Sequence, residues 1–337
     1  MPVLEPVEAF APIFIVGVQR SGTTLLRTML HAHSDLCIGY ECALYKILGD
    51  RYEGGVAAQD AETFLDDLLA VRRFDLWDLD RDTLRTAIFD AEAGGSGPIA
   101  YVEVLYRIAL CYLQKEKPEA THFGFKNPHG IYHLEFIFDL FPKARILHMI
   151  RDPRGVLSSE KKKRSKIDGY KPEETTWMVA RRHRKMMQIA EAYKSDPRYL
   201  AIQYRDLVTN FEPTLGKVLT FLDLEFEDEV RTYHLTARDG GFTPEKELWQ
   251  HSKSLEPPDP SRVDKFQTEL TLRERSTMEM VCGRTLTKLP GASRSGSFLE
   301  GAIGVSQILL SKLAQRAGSK KQTDTPENEL LDSKKLN

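Results

Sequence analysis

Residues Ile13–Leu26 read IFIVGVQRSGTTLL, an apolar run that enters a glycine-bracketed loop and continues into an apolar helix start. This order commits the chain to a strand–loop–helix unit, in which backbone N–H groups at the loop and the helix start converge on a phosphate. The spacing Gly17-x-x-x-x-Gly22 is that of loops with Lys-Ser/Thr after the second glycine, where the lysine reaches the β- and γ-phosphates and the hydroxyl ligates Mg²⁺. Here Thr23-Thr24 stands in that place, and the loop's cation is Arg20. A loop without the lysine is poorly equipped to split a triphosphate, but it keeps the cradle for a nucleotide 5′-phosphate.

Further strand-like runs at His122–Phe125, Arg145–Ile150 and Tyr199–Ile202 each precede a turn and a helical pattern, as Ile13–Val16 does. Strands alternating with helices predict an α/β fold: a P-loop-like parallel β-sheet flanked by helices. Between the first loop and the second strand, helical spacing at Thr63–Val71, Arg81–Ala91 and Ile99–Leu113 surrounds the turn-rich Gly94-Gly95-Ser96-Gly97-Pro98. This stretch, about residues 45–115, reads as a helical insertion or cap over the carboxyl ends of the strands, where open parallel sheets bind ligands. Glu173–Tyr193, Leu215–Leu222 and Leu272–Leu286 read as further helices.

With 337 residues and 41% hydrophobic content the chain can bury a sizeable core. The expected layout is one domain over 1–290, a C-terminal amphipathic helix region over 291–316 and a disordered polar tail over 317–337. Phe298–Leu313, rich in Ile, Leu and Val, is expected to dock on the core or to give weak membrane-surface contact or self-association. A formal net charge of −2 gives no reason to expect a nucleic-acid partner. The four cysteines, Cys37, Cys42, Cys111 and Cys282, have neither C-x-x-C nor zinc-site spacing and read as reduced thiols, with no metal expected. The opening MPVLEPVEAFAP resembles neither a secretory signal nor an anchor, so the expected location is cytoplasmic.

Four residues converge at the carboxyl edge if this fold is right: Arg20 in the loop, Glu41 after the first helix, Lys126 at the end of the second predicted strand and Arg151 at the end of the third. In HMIRDPRGVLSS, residues 148–159, a strand ends in Arg151, a turn follows, and Ser158 and Ser159 lie one turn into a helix. Arg plus Ser suits a grip on a second phosphate.

The pair GVQRSGTTLLRTML and ILHMIRDPRGVLSS resembles the sulfotransferase superfamily, nearest within it to protein-tyrosine sulfotransferases and their bacterial relatives, over roughly Ile13–Leu222. The resemblance implies a sulfate donor, 3′-phosphoadenosine 5′-phosphosulfate, and a hydroxyl-bearing acceptor. It makes Arg20, Ser21, Gly22, Thr23 and Thr24 the 5′-phosphosulfate cradle, and Arg151 with Ser159 the grip on the 3′-phosphate. Lys163 falls where tyrosine sulfotransferases carry an arginine on that phosphate, and Tyr204 where the family has a tyrosine near the nucleotide. Glu41 takes the position of the catalytic base and Lys126 that of the lysine assisting the leaving phosphate.

Sulfuryl transfer needs these residue types on physical grounds. Positive charge and N–H dipoles must surround the sulfur and the leaving phosphate, and the acceptor must lose a proton. His129, just behind Lys126, is the rival base. Two other readings stay open: a phosphotransferase or NTPase on the same architecture, and a noncatalytic nucleotide-binding scaffold. The basic run Lys161–Lys166 is expected to border the nucleotide or an acidic acceptor, and Arg262 and Lys265 to lie in a late loop that closes over the site. His31 and His33 read as packing or capping residues, and Ser252 as a weakly supported active-site serine.

Overall fold

The computed structural model describes residues 7–90, 97–166, 168–239 and 252–318. Five parallel strands, β1 Ile13–Gly17, β2 Leu36–Ile38, β3 His122–Lys126, β4 Arg145–Ile150 and β5 Tyr199–Gln203, lie in the order β2-β3-β1-β4-β5. The register places Phe14 beside Phe125 on one flank and Ile146 on the other. Every residue of β1 is buried, as a central strand covered on both faces requires. Ile13 and Ile15 pack with Leu26, Met29 and Leu30 of the Thr23–His31 helix on one face. Phe14 and Val16 face a second, larger core on the other.

The four strands expected from sequence are all present, three of them extended by one residue at the carboxyl end. β2 was not expected. With three residues it is too short to show a period, and it forms because Leu36, Cys37 and Ile38 pair with His122, Phe123 and Gly124 of β3. Connections leaving β1 and β4 run in opposite directions across the sheet, which opens a crevice between their carboxyl ends.

The insertion is helical as expected, with helices at Ala61–Leu69, Arg81–Arg85 and Tyr101–Glu116, and the segment Thr86–Asp90 widens into a π-turn. Of its glycine-rich turn, only Gly97 and Pro98 fall among the described residues. Part of this insertion packs on a face of the sheet. Trp77, fully buried, lies 4.8 Å from the Tyr112 ring and 6.2 Å from the Phe125 ring, centroid to centroid. The turn after Ala61–Leu69 reaches the carboxyl edge, and so does Tyr45, whose hydroxyl accepts from Asn127 Nδ2 at 3.2 Å just past β3.

The expected Leu272–Leu286 helix is two, Leu272–Cys282 and Arg284–Thr287, parted at Gly283 with φ 55°. The terminal helix runs Phe298–Gly318, so it enters the segment expected to be a tail, whose remainder, 319–337, lies outside the described residues. It docks on the Leu272–Cys282 helix through small residues. A Cβ built on Gly304 would sit 1.8 Å from Thr277 Oγ1, and one on Gly301 2.9 Å from the Ser276 carbonyl oxygen. Leu299, Leu309, Leu310 and Leu313 are left exposed. Among the described residues, no helix is long and apolar enough to cross a membrane.

Candidate active site

The loop between β1 and the Thr23–His31 helix is shaped by its backbone. Arg20 adopts φ 67° and Gly22 φ 101°. A Cβ on Gly22 would come 2.6 Å from Tyr204 Cδ2, so both conformation and close approach demand glycine there. Thr23 and Thr24 open the helix that follows. Ser21 is fully buried, and among the described residues its hydroxyl has no hydrogen-bond partner.

The second motif meets this loop directly. Arg151 Nη1 donates to the Arg20 carbonyl at 2.9 Å, and Arg20 Nε donates to Ser159 Oγ at 2.9 Å. The Arg151 guanidinium lies over the Tyr204 ring, 4.2 Å from its centroid, a cation–π stack that fixes the plane of the fork. Its Nε is buried without a partner among the described residues. Burial pushes the Arg151 pKa down, with Tyr204 opposing and Arg20 adding to the shift. Asp152 also opposes that shift, but its hydrogen bonds go elsewhere. It caps the Pro153–Arg164 helix by accepting from Arg154 N at 2.8 Å, and it pairs with the Arg154 guanidinium, which also reaches Glu279 at 2.7 Å.

On that helix Ser159 and Lys163 are four residues apart and so share one face, and both line the cleft. Lys161 pairs with Glu274, Lys162 with Glu269 and Arg164 with Glu160. Of the residues in this run, expected to border the nucleotide or an acidic acceptor, Lys163 is the one that lines the cleft, because a helix spreads consecutive residues around its circumference. Burial lowers the Lys163 pKa, Glu160 opposes this, and Arg20 adds to it.

At the other end of the cleft the Lys126 ammonium, 3% exposed, donates to Glu41 Oε2. Burial draws the Lys126 pKa down and Glu41 opposes it. Glu41 follows β2 by three positions and Lys126 ends β3, so adjacent parallel strands deliver the pair. His129 lies one turn beyond Lys126, in the 3₁₀ turn Pro128–His133, and does not line the cleft. Its N–H donates to Asn127 Oδ1 at 3.1 Å, and burial lowers the pKa of its ring.

Arg20, Glu41, Lys126, Arg151, Ser159, Lys163 and Tyr204 thus line one cleft with Gly22, Thr23 and Thr24, while Ser21 sits behind the loop. Four cations that sequence reasoning did not assign to the site complete the lining or were placed there only loosely: Arg72, Arg73, Lys253 and Arg262. Arg262 is held by Glu256 at 2.9 Å and Asp259 at 3.0 Å, and Ser254, not Ser252, faces the cleft. Among the described residues, eight arginines and lysines line the cleft and Glu41 is its one carboxylate, which suits a ligand carrying several negative charges. His31 and His33 serve the backbone: each Nδ1 accepts a main-chain N–H, from Ile38 and Asp35 respectively, both at 3.1 Å.

The sequence model of the Sulfotransferase family matches residues 12–228. The chain belongs to the sulfotransferase family. This sulfotransferase is 23% identical over 272 residues to protein-tyrosine sulfotransferase 1 of Danio rerio, spanning 80% of this chain and 69% of that protein. It is 26% identical over 220 residues to the protein-tyrosine sulfotransferase of Drosophila melanogaster, spanning 65% of this chain and only 39% of the fly protein. Among solved structures, the sulfotransferase domain from the Synechococcus PCC 7002 olefin synthase superposes with a TM-score of 0.52 at 20% identity, covering 92% of this chain and 98% of that domain. That likeness is one of fold.

Proposed function

We infer that this sulfotransferase uses 3′-phosphoadenosine 5′-phosphosulfate as donor, places its sulfuryl group on an acceptor hydroxyl, phenolic or alcoholic, and releases adenosine 3′,5′-bisphosphate. The observation that carries the donor assignment is the bridge from Arg151 and Ser159 to Arg20. It couples a site for a 5′-phosphate group to a second grip of Arg and Ser about where a 3′-phosphate would lie, and ATP has nothing to offer that grip. The buried Arg151 Nε, without a partner among the described residues, is a donor that a phosphate oxygen would satisfy.

The donor supplies an activated sulfuryl group on a phosphate leaving group. Loop amides, Arg20 and Lys126 would hold positive potential around the sulfur and the leaving oxygen, where charge builds in the transition state. Arg151, Ser159 and Lys163 would hold the 3′-phosphate, and Tyr204 would fix Arg151 from behind. Glu41 would take the acceptor proton, a role typically worth about two to four orders of magnitude in rate. Its carboxylate lines the cleft next to Lys126, whereas His129 stands outside. Residues 1–290 would form the unit that carries this chemistry.

The test is calorimetry with adenosine 3′,5′-bisphosphate, adenosine 5′-monophosphate and ATP, followed by transfer of labelled sulfate from the donor to a panel of phenols and alcohols. Strong preference for the bisphosphate together with labelled product supports the reading. Equal binding of the three nucleotides removes the donor assignment, and tight bisphosphate binding with no acceptor ever labelled points to a noncatalytic binder.

A further inference from the structure

The helix Pro153–Arg164 works on two sides. Ser159 and Lys163 face the cleft, whereas Arg154, Lys161 and Lys162 reach the other way, to Glu279, Glu274 and Glu269 of the C-terminal segment. The two lysine contacts are partly exposed, and ion pairs of that kind contribute little. Arg154 is different.

Arg154 is 2% exposed and shared between two carboxylates. Its Nε and Nη2 donate to the two oxygens of Asp152 at 3.0 and 2.7 Å, and its Nη1 donates to Glu279 Oε1 and to the Ser293 carbonyl, both at 2.7 Å. The guanidinium lies over the Phe266 ring, 4.4 Å from its centroid. Glu279 is fixed in turn by main-chain N–H groups, from Ser295 at 3.0 Å and Gly296 at 2.9 Å. A Cβ on Gly296 would lie 2.7 Å from Ser276 Cα, so the loop approaches Glu279 this closely only with glycine there. Hydrogen bonds on three nitrogens and a stacked face leave Arg154 one position. Neither it nor Glu279 lines the cleft.

What this network holds is the carboxylate next in sequence to Arg151. Asp152 acts electrostatically on Arg151, and an arginine fork paired with a carboxylate is no longer free for a phosphate. Both Asp152 oxygens go to Arg154 instead, and the Arg151 fork reaches the Arg20 carbonyl and stacks on Tyr204. We propose that Arg154 is a positioning residue for the donor: by holding Asp152 away it keeps Arg151 out of an internal ion pair and leaves that charge to the 3′-phosphate. The proposal rests on the donor reading above. Because Glu279 and the Ser293 carbonyl steady Arg154 from the far side, the C-terminal segment shares in donor recognition without touching the nucleotide there.

The experiment is calorimetry on the full chain with adenosine 3′,5′-bisphosphate and adenosine 5′-monophosphate. The variants are Asp152→Asn, Arg154→Gln, Arg154→Lys and each Arg154 variant combined with Asp152→Asn. The readout is the ratio of the two dissociation constants, which general loosening of the fold moves little because both nucleotides share the 5′-phosphate site. Arg154→Gln should cut the ratio by about tenfold or more, and Arg154→Lys, which cannot hold both Asp152 oxygens and Glu279 together, by about threefold or more. Adding Asp152→Asn should restore each to within about twofold of the wild type, the coupling expected of neighbours in one network. Asp152→Asn alone should stay within about threefold, since Asn still caps the helix.

A ratio unchanged in the Arg154 variants, or a loss that Asp152→Asn does not restore, overturns the proposal. A larger loss in Asp152→Asn alone also overturns it, because Asp152 would then serve the nucleotide itself. Removing one partner of a buried ion pair is costly, so Arg154→Lys and Asp152→Asn decide the matter if Arg154→Gln fails to fold. Equal binding of the two nucleotides by the wild type removes the donor reading instead, and this inference with it.

Discussion

The Lys126 ammonium, buried at the end of β3, donates to the carboxylate of Glu41, which the neighbouring edge strand β2 brings to it from 85 positions away in the chain. The contact joins the group proposed to assist the leaving phosphate to the group proposed to take the acceptor proton. It orients both before any ligand arrives, so little reorganisation accompanies the reaction.

Glu41→Gln removes the base and keeps the shape. Turnover should fall by about a hundredfold or more while the dissociation constant for adenosine 3′,5′-bisphosphate changes less than about threefold. Steady-state kinetics with calorimetry checks this, and near-normal turnover would move the base to His129.

Arg151→Ala removes a buried fork and leaves Tyr204 without its stacked cation. The affinity ratio between adenosine 3′,5′-bisphosphate and adenosine 5′-monophosphate should fall at least tenfold, in keeping with a charge-assisted bidentate contact worth about 1.5–3 kcal/mol. A ratio equal to that of the wild type refutes the 3′-phosphate assignment.

Gly22→Ala places a methyl group against Tyr204 in a backbone conformation that alanine resists. The loop must shift, so bisphosphate affinity should drop at least tenfold with a melting temperature only a few degrees lower, since the strain is local to the loop. Differential scanning fluorimetry with and without nucleotide separates the two effects.

His148 and His183 are buried side by side in the core, and burial lowers their pKa values to about 3 and about 4. Unfolded histidines titrate near 6.5. As pH falls below that value the unfolded chain takes up protons that the native imidazoles refuse, so stability is full above about pH 6.5, declines towards pH 4 and levels off for these groups below about pH 3. Urea midpoints at pH 7.5, 6.0 and 5.0 should fall in that order, and His183→Leu should flatten the slope. A slope as steep as that of the wild type removes the assignment.

Gly304→Val drives a branched side chain into Thr277 at the foot of the terminal helix. It should lower stability by about 1–3 kcal/mol and expose the helix to limited proteolysis. Leu310→Gln, on the outward face where Leu310 is 65% exposed, should stay within about 0.5 kcal/mol of the wild type.

The sequence shows plainly what long apolar runs and paired motifs encode. The four strands of β1, β3, β4 and β5, and the meeting of Arg20 with Arg151, follow from segments long enough to carry a pattern. β2 hides because three residues make no pattern, and its existence depends on a partner strand far away in sequence. The basic run from 161 to 164 looks like one patch in a linear reading, although helical geometry already separates Lys163, which shares a face with Ser159, from its neighbours. Arg72 and Arg73 left only a faint signal, two consecutive arginines after a helix. What brings them to the cleft is a left-handed turn resting on Phe74 and Trp77, and no spacing in the sequence announces it.

The strand order carries a consequence for how such an enzyme diversifies. Everything proposed to hold the nucleotide hangs from the central and β5-side strands, whereas Glu41 and the paired arginines ride on an edge strand and the segment that follows it. The seam between the halves is an aromatic layer of Phe14, Phe125 and Trp77. Substitutions in the turn that carries Arg72 and Arg73 can therefore change the β2–β3 side of the cleft while the strands that carry Arg20 and Arg151 stay as they are, provided the seam still packs.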